Sequence, residues 1–115
     1  MAIQTATQRN NLATAYAAAA THAALYSTVP AGTAGTELTG GSPAYARKAL
    51  SWGSPTGGVV SATAVVFDVA AGSTVAGAGL HTDISAGAYL DGAAVTSQAF
   101  ASQGTYTLTI TYTQT

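Results

Sequence analysis

From Tyr106 to Tyr112 every second residue is large and apolar or aromatic (Tyr106, Leu108, Ile110, Tyr112), and every alternate residue from Thr105 to Thr113 is threonine. Strict alternation is the signature of a strand with one buried and one wet face. At strand rise, such a segment spans roughly 30 Å. A second β-rich segment runs from Val59 to Val69 with Val65, Val66 and Phe67 at its heart. Val59, Thr63, Val65, Phe67 and Val69 share one face and Val60, Ala62, Ala64 and Val66 the other, a pattern that predicts cover on both sides. Thr21 to Thr28 reads as a strand placing His22, Ala24 and Tyr26 opposite Ala23, Leu25 and Ser27. Val75 to Thr82 reads as another, in which Gly77 and Gly79 signal close backbone approach or a bulge. Ala88-Tyr89-Leu90, the Asp91-Gly92 pair and Ala93-Ala94-Val95 have the form of a hairpin with its turn at Asp-Gly.

Helical periodicity is confined to residues 5–20. Thr5-Ala6-Thr7-Gln8 fits a capping box, with Thr5 capping the backbone and Gln8 reaching back. Leu12, Tyr16 and Ala20, flanked by Ala13, Ala17 and Ala19, predict a shallow apolar face able to lie close against a sheet or a neighbour. Gly40-Gly41-Ser42-Pro43 and Gly53-Ser54-Pro55-Thr56-Gly57-Gly58 are turns, and a loop studded with Pro30, Gly32 and Gly35 fills 29–36. Between the two turns, alternation from Tyr45 predicts a strand. Ala46, Lys48, Leu50 and Trp52 lie on one side of it and Tyr45, Arg47, Ala49 and Ser51 on the other, with Trp52 as a core anchor. Short strands at regular spacing with Gly/Pro turns predict a mainly β fold: an antiparallel β-sandwich, jelly-roll-like, with one N-terminal α-helix. A single domain over 1–115 accounts for the chain, with its helix at about 5–20 and its strands from about 22 to 113.

Composition then changes the picture in one respect. Only 6% of the 115 residues are charged and 48% are hydrophobic, with Ala, Thr, Gly and Ser filling the gap. Typical domains carry about 25% charged residues, so a surface this mild suits a protein covered in part by neighbours, a homo-oligomer above all. The net charge of −1 argues against nucleic-acid binding, because Arg47 and Lys48 are adjacent and form no cationic patch. With no Cys there is no disulfide, thiolate nucleophile or cysteine zinc site. No apolar run approaches the roughly 20 residues that span a bilayer, and 16–20 is too short for a signal peptide, so no membrane partner and synthesis in the cytoplasm are expected.

Candidate chemistry is sparse. His22 and His81 are the only histidines, and Asp68, Asp83 and Asp91 stand at no recognisable metal-ligand spacing from them. His81, Asp83 and Ser85 invite a triad reading, but alternate strand residues lie about 7 Å apart, too far for a hydrogen-bonded relay. Paired carboxylates for glycoside hydrolysis could come only from Glu37, Asp68, Asp83 and Asp91, and Asp91 is better explained by a turn. Neither double glycine opens a helix or precedes a Walker lysine. The expectation is a non-enzymatic protein with no catalytic residue, no cofactor and no metal.

The segments Asn11-Leu12-Ala13-Thr14-Ala15-Tyr16, Thr21-His22-Ala23-Ala24-Leu25-Tyr26 and above all Gly40-Gly41-Ser42-Pro43-Ala44-Tyr45-Ala46-Arg47-Lys48 resemble a family of small virion structural proteins of tailed bacteriophages, many infecting actinobacteria. Val65-Val66-Phe67-Asp68-Val69 and the segment from Asp91-Gly92 onward continue the likeness over nearly the whole chain. Members are commonly labelled tail-fibre or minor structural proteins and often carry an aromatic where this chain has His81. They also tend to have a charged or Pro-containing segment near Thr28-Val29-Pro30. The resemblance implies a virion location and no enzyme. Because the chain has no coiled coil, repeat or collagen-like segment, the expected role is a capsid (head) decoration protein that binds the major capsid protein and stabilises the assembled shell, a trimer being the favoured oligomer. The alternative is a tail-fibre or receptor-binding module. The candidate interface is Met1, Ala2, Ile3 and Gln4, with Leu12 and Tyr16 on the helix, because termini become ordered when something ties them down.

Overall fold

The computed structural model describes residues 3–114. One helix, α1 (Ala6–Ala19), precedes eight strands: β1 (His22–Tyr26), β2 (Lys48–Ala49), β3 (Val59–Ser61), β4 (Val65–Val69), β5 (Thr74–His81), β6 (Tyr89–Ala99), β7 (Gly104–Leu108) and β8 (Thr111–Thr113). All pairings are antiparallel, so the fold is mainly β with a single N-terminal helix. Thr5 caps α1 as expected, its hydroxyl accepting the Gln8 amide at 3.2 Å. The Gln8 side-chain oxygen, expected to reach back to the cap, accepts from Asn11 at 3.4 Å.

The largest sheet has the order β2-β1-β5-β6. β1 is one of its two inner strands, and Ala23, Ala24, Leu25 and Tyr26 are all buried because both faces are covered. One face turns Ala23, Leu25, Val75 and Ala78 toward Phe67, Val69 and Leu108 of β4 and β7, and Leu38 completes this core. Side chains from two layers of strands therefore meet in one interior, as in a sandwich. On the opposite face, Gly77 and Gly92 leave room for Pro30: a Cβ on either would run into its ring. The sequence signal of close approach at Gly77 and Gly79 is accounted for, since Tyr26 packs its ring onto Gly79.

The two strongest β segments of the sequence pair with each other. β3 and β4 run antiparallel to β8 and β7, so residues 59–69 and 104–113 form one long ribbon. Ser61 pairs with Thr111 and Val65 with Leu108, leaving three residues on one strand opposite two on the other. That single extra residue reverses the faces. Val60 and Ala62 are buried before the bulge, whereas Phe67 and Val69 are buried after it, and Val66 is 51% exposed. Alternation assigned on one unbroken strand therefore mixes two faces; the predicted set of Val59 with Phe67 is corrected on this point. The partner segment has no bulge, and Tyr106, Leu108, Ile110 and Tyr112 keep one inward face along its length.

Three further expectations are revised. Only Lys48–Ala49 of the strand predicted from Tyr45 pairs as a strand, with Trp52 making a lone bridge to Ala62. Trp52 is half-buried rather than a core anchor. Its indole N–H donates to the Ala20 carbonyl at 2.8 Å and its ring meets Tyr16 edge-on, so it fastens the end of α1. Asp91-Gly92 is no turn either, because it lies inside β6; the chain reverses at 82–88, where the Thr82 amide donates to the Ala88 carbonyl. A hairpin needs a tight pair only if nothing else closes the loop, and here Thr82 closes it twice, its hydroxyl also accepting the Ala88 amide. The Gly40–Pro43 turn forms as expected, with Gly40 and Gly41 at φ of 81° and 100° and a cis Ser42–Pro43 bond.

Candidate functional site

Two regions concentrate what the chain can do. The first is a polar cluster where β1, β5 and the 37–47 segment converge. Tyr26 forms a bridge with Glu37, which brings the carboxylate beside the end of the sheet. Arg47 grips Glu37 with two donors, Nε and Nη2, each at 2.9 Å. The Tyr45 hydroxyl donates to Glu37 Oε2 at 2.7 Å and accepts the Leu25 amide at 3.0 Å. Burial would raise the Glu37 pKa, but the hydrogen bonds from Arg47 and Tyr45 outweigh it and hold the carboxyl below its ordinary range. Arg47 also donates to the Asp83 carbonyl at 3.1 Å, tying the 82–88 loop to the same hub. Every part of this network has an internal partner, so its chemistry is spent on holding the Tyr45 ring against Phe67 and on joining three segments.

His81 borders the cluster. It pairs across the sheet with His22, yet the two imidazoles do not share a site: His22 Nδ1 meets the Thr21 hydroxyl, and His81 Nε2 meets the Tyr26 hydroxyl. The position where the resemblance expects an aromatic is here an imidazole set between the rings of Tyr26 and Tyr89. Asp83 Oδ1 accepts the neighbouring Ile84 amide rather than facing His81 as a relay partner. Among the described residues, no group of three His, Cys, Asp or Glu side chains is arranged to hold a metal ion. Nor is any helix among them long and apolar enough to cross a membrane.

The second region is the outer face of the ribbon. Thr105, Thr107, Thr109, Thr111 and Thr113 are all exposed, one after another along a single strand face. Across the ribbon they are paired with Asp68, Val66, Ser61 and Val59 for four of the five. Val66 and Val59 stand 51% and 38% exposed, and Ser61 and Thr111 join hydroxyls at 3.0 Å. The result is a pleated surface about 30 Å long of methyl and hydroxyl groups carrying one carboxylate.

The interface residues expected at the N-terminus fare differently from one another. Met1 and Ala2 lie outside the described residues. Ile3 is drawn back onto the helix by Arg9, whose guanidinium donates to its carbonyl at 2.7 Å. Gln4 lies at the surface, and Leu12 is 37% exposed. Tyr16 is committed inside the chain: its ring stacks on Tyr112 at 3.7 Å and its hydroxyl donates to Asp91 at 2.7 Å. Burial first and Asp91 second push its pKa well above the usual phenol. The inward face of α1 therefore runs through Ala13, Tyr16, Ala17 and Ala20, and Leu12 is rotated off it. A groove of about 290 Å³ opens beside Tyr16 where Ala93 and Val95 of β6 face Leu108 and Ile110.

The arrangement defines a mainly β, antiparallel domain with a hydroxyl-rich face that carries a single carboxylate and an internally satisfied polar hub. No family model matches the chain, and it has no match among curated proteins or solved structures.

Proposed function

We propose that the protein is a non-enzymatic virion structural protein of a tailed phage, a capsid decoration protein that binds the assembled shell as a homo-oligomer, with a trimer favoured. The observation that carries this reading is the threonine face of β7 and β8. Docking such a face onto a neighbour removes methyl groups from water with Asp68 as the one charge to accommodate, and the rotatable hydroxyls can find new partners across the contact. A contact of about 1,000 Å² is the usual lower bound for a specific interface, and a face of this length makes a substantial part of one. Preference for the assembled shell stabilises it by mass action, as any ligand selective for one state does. The major capsid protein is the partner on this reading.

Phage particles lacking the protein test it. They are expected to assemble but to release DNA at lower temperature or under osmotic shock, and added protein should restore resistance. Particles of normal stability that cannot adsorb to cells would instead support the tail-fibre or receptor-binding role.

A further inference from the structure

His81 ends β5 in surroundings that favour the neutral imidazole over the imidazolium. The residue is 4% exposed, and its Nδ1 is buried with no hydrogen-bond partner among the described residues. Nε2 is bonded to the Tyr26 hydroxyl, and the rings of Tyr26 and Tyr89 lie 6.1 and 5.7 Å away. An imidazolium carries two N–H donors and needs an acceptor for each; Nδ1–H would have none.

The charged and titratable groups around it do not supply one. From β1 come Tyr26 and, opposite in register, His22, whose Nδ1 is engaged by Thr21. From β6 comes Tyr89, whose hydroxyl donates to the Ala31 carbonyl at 2.7 Å. Asp83, in the loop that follows, accepts the Ile84 amide. The 37–47 segment contributes Arg47, which repels a second cation, and Glu37, whose field favours one. Glu37 is already engaged by Arg47 and Tyr45. Burial, then Arg47, keeps the imidazole below its ordinary range.

The same aromatic box holds a strap. Residues 27–36 cross the glycine-paved face of the sheet, with Pro30 over Gly77 and Gly92 and the Ala31 carbonyl on Tyr89. Within the strap, the Ser27 amide donates to Thr36 at 2.8 Å and the Ala31 amide to Thr33 at 3.1 Å.

We propose that His81 is an acid-sensitive latch: protonating its imidazole opens the Tyr26–His81–Tyr89 box and frees the 27–36 strap, while the core on the other face of the sheet stays packed. The closed form resists the proton and the open form accepts it near the ordinary imidazole value of about 6.5. The ratio of open to closed molecules therefore rises by up to about tenfold per pH unit as the pH falls below that value, until the closed form also titrates. The device does not depend on where in a virion the protein sits.

Hydrogen exchange of the full chain between about pH 7.5 and 5, corrected for intrinsic rates, reads the opening directly. Protection of the Ser27 and Ala31 amides is expected to drop about tenfold or more across that range, with the Leu25 and Phe67 amides unchanged. His81→Phe, which keeps an aromatic ring without a proton site, should abolish the pH dependence, and His22→Gln should leave it intact. Should His81→Phe fail to fold, the imidazole C–H resonances of the unsubstituted protein decide: His81 must titrate together with the strap signals. Acid loosening that persists in His81→Phe overturns the proposal. So does His81 titrating near the ordinary value with the strap unmoved, or loss of core protection in step with the strap.

Discussion

At the scale of single residues, the most consequential side chain is Glu37, a loop carboxylate by sequence and a hub by structure. It accepts from Arg47 twice and from Tyr45 once, and the side chains of Arg47 and Glu37 are 11% and 26% exposed. Charge-assisted hydrogen bonds at such partial burial contribute about 1–3 kcal/mol. Glu37→Gln is expected to lower stability by about that amount at neutral pH, measured by urea unfolding. The sign of the pH dependence follows from the lowered folded-state pKa. The contribution is fully present above the ordinary carboxylate range and fades as the pH falls through the folded value. Unfolding curves of the two proteins should therefore converge as the pH falls to the acid side of the ordinary carboxylate range. A gap that stays constant from neutral pH to that point would show that ionisation of Glu37 is not its source. Nothing in the sequence marks Glu37, because its partners Tyr45 and Arg47 come from beyond a glycine turn.

Among the elements, α1 shows how a weakly amphipathic helix gets its orientation. With alanine on most positions, periodicity barely distinguishes one face from another, and Leu12 and Tyr16 are the large residues that predict one. Tyr16 is held by Asp91 and Tyr112 and Trp52 binds the Ala20 carbonyl, and these contacts turn Ala13 inward and Leu12 outward. Tyr16→Phe should cost about 0.5–1.5 kcal/mol through the lost hydrogen bond, and Leu12→Ala less than about 0.5 kcal/mol. Thermal melts of the two variants check this. Equal losses would mean that Leu12 holds the helix as firmly as the Tyr16–Asp91 bond does.

For the whole molecule, the two faces of the 104–113 segment make opposite demands. Ile110 packs against the core, so Ile110→Asp buries a charge and should unfold the domain. Thr109 is exposed, and Thr109→Asp should leave the melting temperature of the isolated protein within a few degrees. On the proposed function, that same substitution adds a second carboxylate to a face that otherwise carries only Asp68 and weakens attachment to capsids. Circular dichroism melts and co-sedimentation with particles separate the two effects. If Thr109→Asp melts like Ile110→Asp, the threonine face is buried within the folded unit itself. If it melts normally and still binds, the shell contact lies elsewhere on the surface.

Local patterns in the sequence determined the helix with its Thr5 cap, the two glycine turns, β1, β5, the inward set Tyr106, Leu108, Ile110 and Tyr112, and with these the fold class. Each is a property of consecutive residues: propensity, periodicity or a backbone angle that glycine permits. Tertiary structure alone decided the rest. The extra residue between Ser61 and Val65 is visible only once Thr111 and Leu108 are known to be their partners, because a bulge is a mismatch between two strands. Asp91-Gly92 reads as a turn until Thr82 closes another loop and Gly92 is needed flat beneath Pro30. The Glu37 hub, the Tyr16–Asp91 bond and the box around His81 join residues that are 8 to 75 positions apart. Such contacts are set by how the layers stack, and no window of neighbouring residues carries that information.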